Sequence, residues 1–201
     1  IISALNLAFI TYNYKFKLRT HNYIFWPDGI FTTYLTNTKK IPGRKFFTLF
    51  INKINKKKIK FNKIYILGNL PLISSTWLKN NLNQNFIHIN LPYGNINYIN
   101  KKFKKINFIE KSLIILTLPT PKQELIANMI LRKKPSSTII CIGGSINILS
   151  GYEKKTPSIL YKLNLEWLWR LKFDSKRRFF RLFESAILYI KLKISGQNNI
   201  F

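Results

Sequence analysis

The sequence contains few of the residues that build disulfides, metal sites or membrane spans. It has one cysteine, Cys141, and two histidines, His21 and His88, among 201 residues. A single thiol excludes a disulfide framework and a cysteine-rich zinc site, and the distant histidines offer no ligand spacing. No apolar run reaches the ~18 residues that a membrane-spanning helix needs. The chain begins at Ile1 without a signal-peptide pattern, so we expect it to lack its N-terminal segment.

Acidic residues are also scarce. Lys and Arg number 34 against 7 Asp and Glu, a net charge of +27, while 46% of residues are hydrophobic, which excludes wholesale disorder. The scattered lysines fit the codon bias of an AT-rich genome and need no partner. The same bias disfavours arginine, yet four of the seven arginines lie within twelve positions, at Arg170, Arg177, Arg178 and Arg181. This cluster predicts a function for the C-terminal region.

Short apolar runs recur between residues 20 and 150, and each ends at Gly, Pro or Asn. Continuous apolar strands are typical of sheets that are covered on both faces, so we predict an α/β, Rossmann-like fold with a mostly parallel sheet and helices on each side. Helical spacing in the intervening segments predicts helices over 72–83 and 122–133. The predicted strands lie at 23–26, 64–67, 87–89, 113–118 and 139–142.

The character of the sequence changes at about Pro157, so we predict a catalytic α/β domain over 1–156 and a helical appendage over 157–201. Apolar residues at three- and four-residue steps predict a basic amphipathic helix over 175–194. Such a helix suits an anionic membrane surface or a phosphate-bearing ligand. The alternative is a helix that docks on the sheet domain with its basic side chains in water. The apolar positions are Phe179, Phe183, Ile187, Ile190 and Ile194.

The search for a general base is short, because the chain has only seven carboxylates. Asp28 directly follows the predicted strand 23–26, and ligands of open α/β sheets bind at the carboxyl ends of strands. Gly29 behind it allows close approach of a backbone. Asp28 is therefore the best candidate base. The alternative is a turn residue, since Pro-Asp-Gly is a common turn tripeptide.

Two further strand ends carry candidate ligand-binding residues. The segment 119–124 would place Gln123 and Glu124 at a helix N-terminus, where backbone N–H groups favour anions such as a diphosphate. The alternative is a simple capping role for Glu124. Gly143-Gly144 forms a third strand-end turn, but it does not match the dinucleotide pattern G-x-G-x-x-G. The P-loop pattern is absent too, which excludes P-loop enzymes.

The ordered set of motifs resembles the WecG/TagA/CpsF glycosyltransferase family. The resemblance implies an inverting transferase that moves N-acetylmannosamine, or a related N-acetylhexosamine or uronic acid, from a UDP-sugar to a polyprenyl-diphosphate-linked acceptor in cell-surface polysaccharide synthesis. It implies action at the inner face of the cytoplasmic membrane, without a metal or other cofactor. The motifs are Pro27-Asp28-Gly29-Ile30, Ile41-Pro42-Gly43, Leu67-Gly68, Pro121-Lys122-Gln123-Glu124, Gly143-Gly144, Ser150-Gly151, Leu165-Glu166-Trp167-Leu168-Trp169-Arg170-Leu171, and Arg177 with Arg181.

The resemblance also assigns roles to individual residues. Asp28 stands where the family has its catalytic base. The residues that would bind the UDP-sugar are Asn6, Lys40, Gln123, Glu124, Gly143 and Gly144. The residues that would meet the acceptor diphosphate and the anionic membrane surface are Arg170, Arg177 and Arg181. A homo-oligomer stays open, and no nucleic-acid partner is expected.

The sequence departs from the family pattern at three positions. Ala4 replaces a threonine, Lys40 replaces an arginine, and Asn147 replaces the aspartate of a G-G-x-F-D-F motif. Ala4 and Asn147 support one alternative, a catalytically degenerate relative that acts only at the membrane surface. The other alternative is a basic, ribosomal-type nucleic-acid-binding protein, which would carry its Lys and Arg across a sheet face.

Overall fold

Six parallel strands form one sheet in the computed structural model, which describes residues 1–91, 96–104, 106–172 and 175–194. The strands are β1 (Ile2–Leu5), β2 (Ile24–Pro27), β3 (Ile64–Leu67), β4 (Phe86–Ile89), β5 (Leu113–Leu116) and β6 (Thr138–Cys141). They pair in the order β2-β1-β6-β5-β3-β4, and every pair is parallel. The predicted Rossmann-like α/β fold is therefore confirmed.

Helices connect the strands and continue beyond the sheet. They are α1 (Leu7–Phe16), α2 (Ile30–Thr36), α3 (Gly43–Asn55), α4 (Leu72–Asn81), α5 (Ile96–Lys104), α6 (Lys122–Lys133), α7 (Ser145–Leu149), α8 (Ser158–Lys162), α9 (Glu166–Leu171) and α10 (Ser175–Ile194). The helices predicted over 72–83, 122–133 and 175–194 are confirmed as α4, α6 and α10. Among the described residues no helix is long and apolar enough to span a membrane.

Alternate residues of the central strands enter two separate cores. Ile64 and Ile66 of β3 pack with α3 and α4 on one face, whereas Tyr65 and Leu67 pack with α5 and α6 on the other. All four are buried, as are all four residues of β5. Full burial of such an apolar side chain contributes about 1.5–3 kcal/mol. This two-sided burial is why the strands are continuous apolar runs, and it leaves no basic sheet face for nucleic acid in the described part of the chain.

Helix α10 docks on the first helix of the sheet domain. The hydroxyls of Ser185 and Thr11 lie 3.0 Å apart within hydrogen-bond distance, and Leu188 is buried in a small core with Phe9 and Ile10. Lys15 and Glu184 form an exposed ion pair at 2.9 Å, which contributes little in water. The docking alternative is therefore correct for this face of α10.

The predicted apolar stripe of α10 does not form the docked face. The side chains of Phe179, Phe183, Ile187 and Ile190 are between 39% and 58% exposed. Ile194 is the last residue of the helix, and its side chain lies outside the described part. An apolar stripe turned toward water on a docked helix is the arrangement expected of a surface that contacts something else.

Candidate active site

A cavity of about 380 Å³ opens at the carboxyl ends of the strands, where chain order reverses on either side of β1. This is the position at which open α/β sheets bind ligands, and the volume suits a small organic ligand. The sequence-predicted residues that line the cavity are Asn6, Asp28, Lys40, Gln123, Gly143 and Gly144. The structure therefore brings together residues from four separate strand ends.

Asp28 is held at the cavity by the pairing of β2 with β1. Its backbone N–H donates to the carbonyl of Leu5 at 2.9 Å, one residue beyond the paired register of Leu5 with Pro27. Gly29 follows with φ = +109°, a conformation that side-chain-bearing residues rarely adopt, and α2 begins directly after it. The turn therefore presents the carboxylate at the rim of the sheet, so the turn and base interpretations of Asp28 are compatible.

Asn6 combines a structural role with its position on the cavity wall. It is the N-cap of α1, and its Oδ1 accepts a hydrogen bond from the Phe9 N–H at 3.0 Å. This cap leaves the Nδ2 group of Asn6 without a hydrogen-bond partner among the described residues. A donor on the cavity wall is suited to a phosphate or carbonyl oxygen.

Gln123 joins the start of α6 to the loop after β6. Its Oε1 accepts the Gly143 N–H at 3.0 Å, while its Nε2 donates to Glu124 Oε1 at 2.8 Å and to Thr120 Oγ1 at 3.2 Å. Both ends of the amide are thus occupied by protein groups. Gln123 therefore fixes the Gly143 backbone, which adopts φ = +54° beside the cavity.

Glu124 lies behind the cavity wall rather than on it. The side chain is buried, and its Oε1 also accepts from Thr120 Oγ1 at 3.1 Å and from Ser3 Oγ at 3.5 Å. Its Oε2 has no partner within the described ranges. Burial raises the pKa of Glu124 to about 7, although the hydrogen bonds from Gln123, Thr120 and Ser3 oppose this rise. Glu124 was predicted to bind substrate, but it does not line the cavity, because its carboxyl turns toward Ser3 of β1.

Two cations at the cavity mouth share one carboxylate from the C-terminal region. Lys40 Nζ lies 2.9 Å from Glu166 Oε2, and Arg44 Nη1 lies 3.1 Å from Glu166 Oε1. The Tyr161 ring lies under both cations, at 4.6 Å and 5.0 Å from its centroid. Lys40 Nζ also donates to Asn164 Oδ1 at 3.4 Å. Helix α9 and Asn164, which precedes it, therefore form part of the cavity wall, and α8 supplies the Tyr161 ring that contacts both cations.

The side chains of Arg170, Arg177 and Arg181 lie outside the part of the chain that the structure describes. Their backbones belong to α9 and α10. Their assignment to the acceptor diphosphate stays a prediction.

Asn147 belongs to a buried polar chain that sequence reasoning missed. Ser74 Oγ donates to Asn147 Oδ1 at 2.9 Å and lies 2.9 Å from Ser150 Oγ. On its other side, Asn147 Nδ2 donates to Glu153 Oε1 at 3.3 Å, and Glu153 lines the cavity. The spacing of the motifs did not indicate Ser74, because it lies 73 residues from Asn147 in the sequence. The two residues meet where α4 packs against α7.

The described residues contain no group of three or more His, Cys, Asp or Glu side chains that could hold a metal ion.

Comparison with known proteins identifies relatives of the chain. The family model of the glycosyl transferase WecG/TagA/CpsF family matches residues 18–198. The chain is also similar to the N-acetylglucosaminyldiphosphoundecaprenol N-acetyl-beta-D-mannosaminyltransferase of Bacillus subtilis (strain 168), with 28% identity over 164 residues. That alignment covers 77% of this chain and 62% of the relative's length. Residues 1–17, with Ala4 and Asn6, precede the segment matched by the family model.

Proposed function

The chain belongs to the WecG/TagA/CpsF family of glycosyltransferases, and from this we propose that it transfers a sugar from a UDP-sugar to a polyprenyl-diphosphate-linked acceptor. The relative from Bacillus subtilis is named as a transferase of N-acetylmannosamine to a lipid-linked N-acetylglucosamine. We therefore propose N-acetylmannosamine, or a related N-acetylhexosamine or uronic acid, as the transferred sugar. The product would serve cell-surface polysaccharide synthesis.

The observation that carries the proposal is the position of Asp28 in a cavity lined by cations. The Asp28 carboxylate takes the proton of the acceptor hydroxyl, and the hydroxyl oxygen attacks C1 of the donor sugar. The bond between C1 and the diphosphate oxygen breaks on the opposite face, so UDP leaves and the anomeric configuration inverts. Lys40 and Arg44 line the same cavity. Their positive charge would offset the negative charge of the diphosphate.

The test is acceptor-dependent release of UDP from a panel of UDP-sugars. The full chain is incubated with UDP-N-acetylmannosamine, its uronic acid, UDP-N-acetylglucosamine or UDP-N-acetylgalactosamine, with and without a polyprenyl-diphosphate-N-acetylglucosamine analogue. We expect turnover of one donor only when the acceptor is present, and an inverted product by NMR. A folded chain that binds anionic vesicles but turns over no donor would instead support the degenerate membrane module.

We further propose that the C-terminal region contacts the anionic inner face of the cytoplasmic membrane. It carries large apolar side chains that are 39–69% exposed, beside many basic residues. Apolar groups of this kind enter the interfacial zone of a bilayer, and each nearby Lys or Arg adds about 1 kcal/mol of attraction. These residues, the appendage surface, are Ile159, Leu163, Trp167, Leu168, Phe179, Phe180, Phe183, Ile187 and Ile190.

Replacing Phe179 and Phe183 together by Ser should weaken binding to anionic vesicles by about tenfold or more, because each fully buried aromatic contributes roughly 1.5–3 kcal/mol. Binding of the unaltered chain should also weaken as salt rises, since the Debye length is only about 8 Å at 0.15 M. Vesicle sedimentation measures both effects. The control is Leu49→Ser, which alters an exposed residue of α3. Salt-insensitive binding, or equal losses in both variants, would contradict the membrane contact.

A further inference from the structure

Glu153 is a cavity-lining carboxylate to which neither the motifs nor the mechanism assign a role. It lies in the connection between α7 and α8, and its backbone N–H donates to the Asn147 carbonyl at 2.9 Å. Its side chain reaches over Gly144, because a Cβ built on that glycine would lie 3.4 Å from Glu153 Oε1. The carboxylate therefore stands at the strand-end loop that follows β6.

A relay of hydrogen bonds fixes the direction of this carboxylate. Ser74 is fully buried and donates to Asn147 Oδ1, so the Nδ2 group of Asn147 must point toward Glu153. Asn147 is itself buried, with 8% of its surface exposed. An aspartate at position 147 could still accept from Ser74, but it would place a second negative charge about 3 Å from Glu153. Asn147 thus donates a hydrogen bond to the Glu153 carboxylate without adding a negative charge beside it.

The charge on Glu153 is not neutralised by the cations that line the same cavity. Lys40 and Arg44 are both paired with Glu166, and the described side chains provide no salt bridge to Glu153. An ionised carboxylate accepts hydrogen bonds at both oxygens, and Asn147 occupies only Oε1. Glu153 Oε2 therefore has acceptor capacity for a ligand that donates hydrogen bonds.

We propose that Glu153 determines specificity by accepting hydrogen bonds from hydroxyl groups of the bound nucleotide sugar, with Asn147 as its positioning residue. This proposal rests on the proposed function, which puts a UDP-sugar in the cavity. Such a ligand offers hydroxyl donors on the ribose and on the transferred sugar, besides the N–H groups of the uracil and of an N-acetyl group. A diphosphate offers no donor at neutral pH, so the carboxylate marks a part of the cavity away from the diphosphate, where hydroxyls are the most numerous donors of the ligand.

The test compares Glu153→Gln with the unaltered chain in KM and kcat for the UDP-sugar, and in Kd for UDP by calorimetry. Loss of a charged hydrogen bond should raise KM by about tenfold to a hundredfold. The kcat should change by less than about threefold, because Asp28 is untouched. The Asn147→Asp variant should also raise KM, and the double variant Asn147→Asp/Glu153→Gln should bind no better than Glu153→Gln alone, since both lack the carboxylate that accepts from the ligand.

The ligand used separates the two sources of hydroxyls. If Glu153 accepts from the ribose, Glu153→Gln weakens UDP as much as the UDP-sugar, and 2′-deoxy-UDP less. If it accepts from the transferred sugar, UDP binding is unchanged and only the UDP-sugar is weakened. If Glu153→Gln and Glu153→Ala are active and their KM and Kd are unchanged, this inference is wrong while the proposed function stands. An unaltered chain that neither binds UDP nor turns over any UDP-sugar would overturn the proposed function and this inference with it.

Discussion

The Asp28→Asn variant should lose acceptor-dependent UDP release by about 10²–10⁴-fold, the contribution expected of a general base. Asparagine keeps the size and shape of the side chain but cannot take the proton of the acceptor hydroxyl. The backbone hydrogen bond from residue 28 to Leu5 does not involve the side chain, so the turn after β2 should persist. The measurement is kcat with the best donor of the panel, together with the Kd for UDP.

The control for this variant is Glu110→Gln. Glu110 is a carboxylate at the surface, paired with Lys134 at 2.9 Å and absent from the cavity wall. The Glu110→Gln variant should retain full activity. The Asp28→Asn variant should lose activity but keep the UDP binding and the melting temperature of the unaltered chain. An Asp28→Asn chain whose kcat stays within about threefold of the original would exclude Asp28 as the base, whatever its effect on KM.

Much of the fold is predictable because burial on two faces leaves a simple trace in the sequence. The inner strands β3, β5 and β6 are almost fully buried and mainly apolar. The edge strands β2 and β4 are partly exposed, and β4 contains His88, yet all five strands were predicted within a few positions. Strand β1 was missed, although it lies between β2 and β6. Its sequence, Ile2–Leu5, contains Ser3 and Ala4, and so does not stand out as an apolar run. Tertiary pairing, rather than local pattern, makes this segment a strand.

The gathering of polar residues at one edge of the sheet was equally predictable. Parallel strands bring their carboxyl ends to the same edge, so residues after β1, β2, β5 and β6 must approach one another. Asp28, Gln123 and Gly143 accordingly lie around one cavity. What the pattern could not reveal is the direction of each side chain. Neighbours in sequence such as Gln123 and Glu124 point to different places, since successive residues of a helix differ in direction by about 100°.

Contacts between distant segments could not be predicted at all. Glu166 stands within a motif that sequence analysis recognised, but its ion pairs with Lys40 and Arg44 depend on how α9 packs against the start of α3. The pairing also answers a question raised by Lys40, which replaces an arginine of the family pattern. Arg44 supplies a planar guanidinium at the same carboxylate, so the two cations act together at the cavity mouth.

The buried carboxyl of Glu124 should make the stability of the protein fall as pH rises from about 4.5 to about 7 and level off above that. The pKa of Glu124 in the folded chain is about 7, against an ordinary value of 4.5, because burial disfavours the charged form. Between these values the folded state holds a proton that the unfolded chain has released. The free energy of unfolding therefore decreases as pH rises through about 7, by about 3 kcal/mol in total.

The variant Glu124→Gln should abolish this dependence, because an amide does not titrate while its oxygen still accepts from Gln123. Urea unfolding at pH 5, 6, 7 and 8 measures the free energy for both chains. Their difference isolates Glu124 from other titrating groups, and Glu110→Gln, an exposed carboxyl, should follow the unaltered chain. The groups that face Glu124 are Tyr12 from α1, Tyr23 before β2 and Cys141 from β6. If the free energy of unfolding changed with pH in the same way for the unaltered chain and for Glu124→Gln, the prediction would be wrong. Glu124 would then ionise inside the fold as readily as in water.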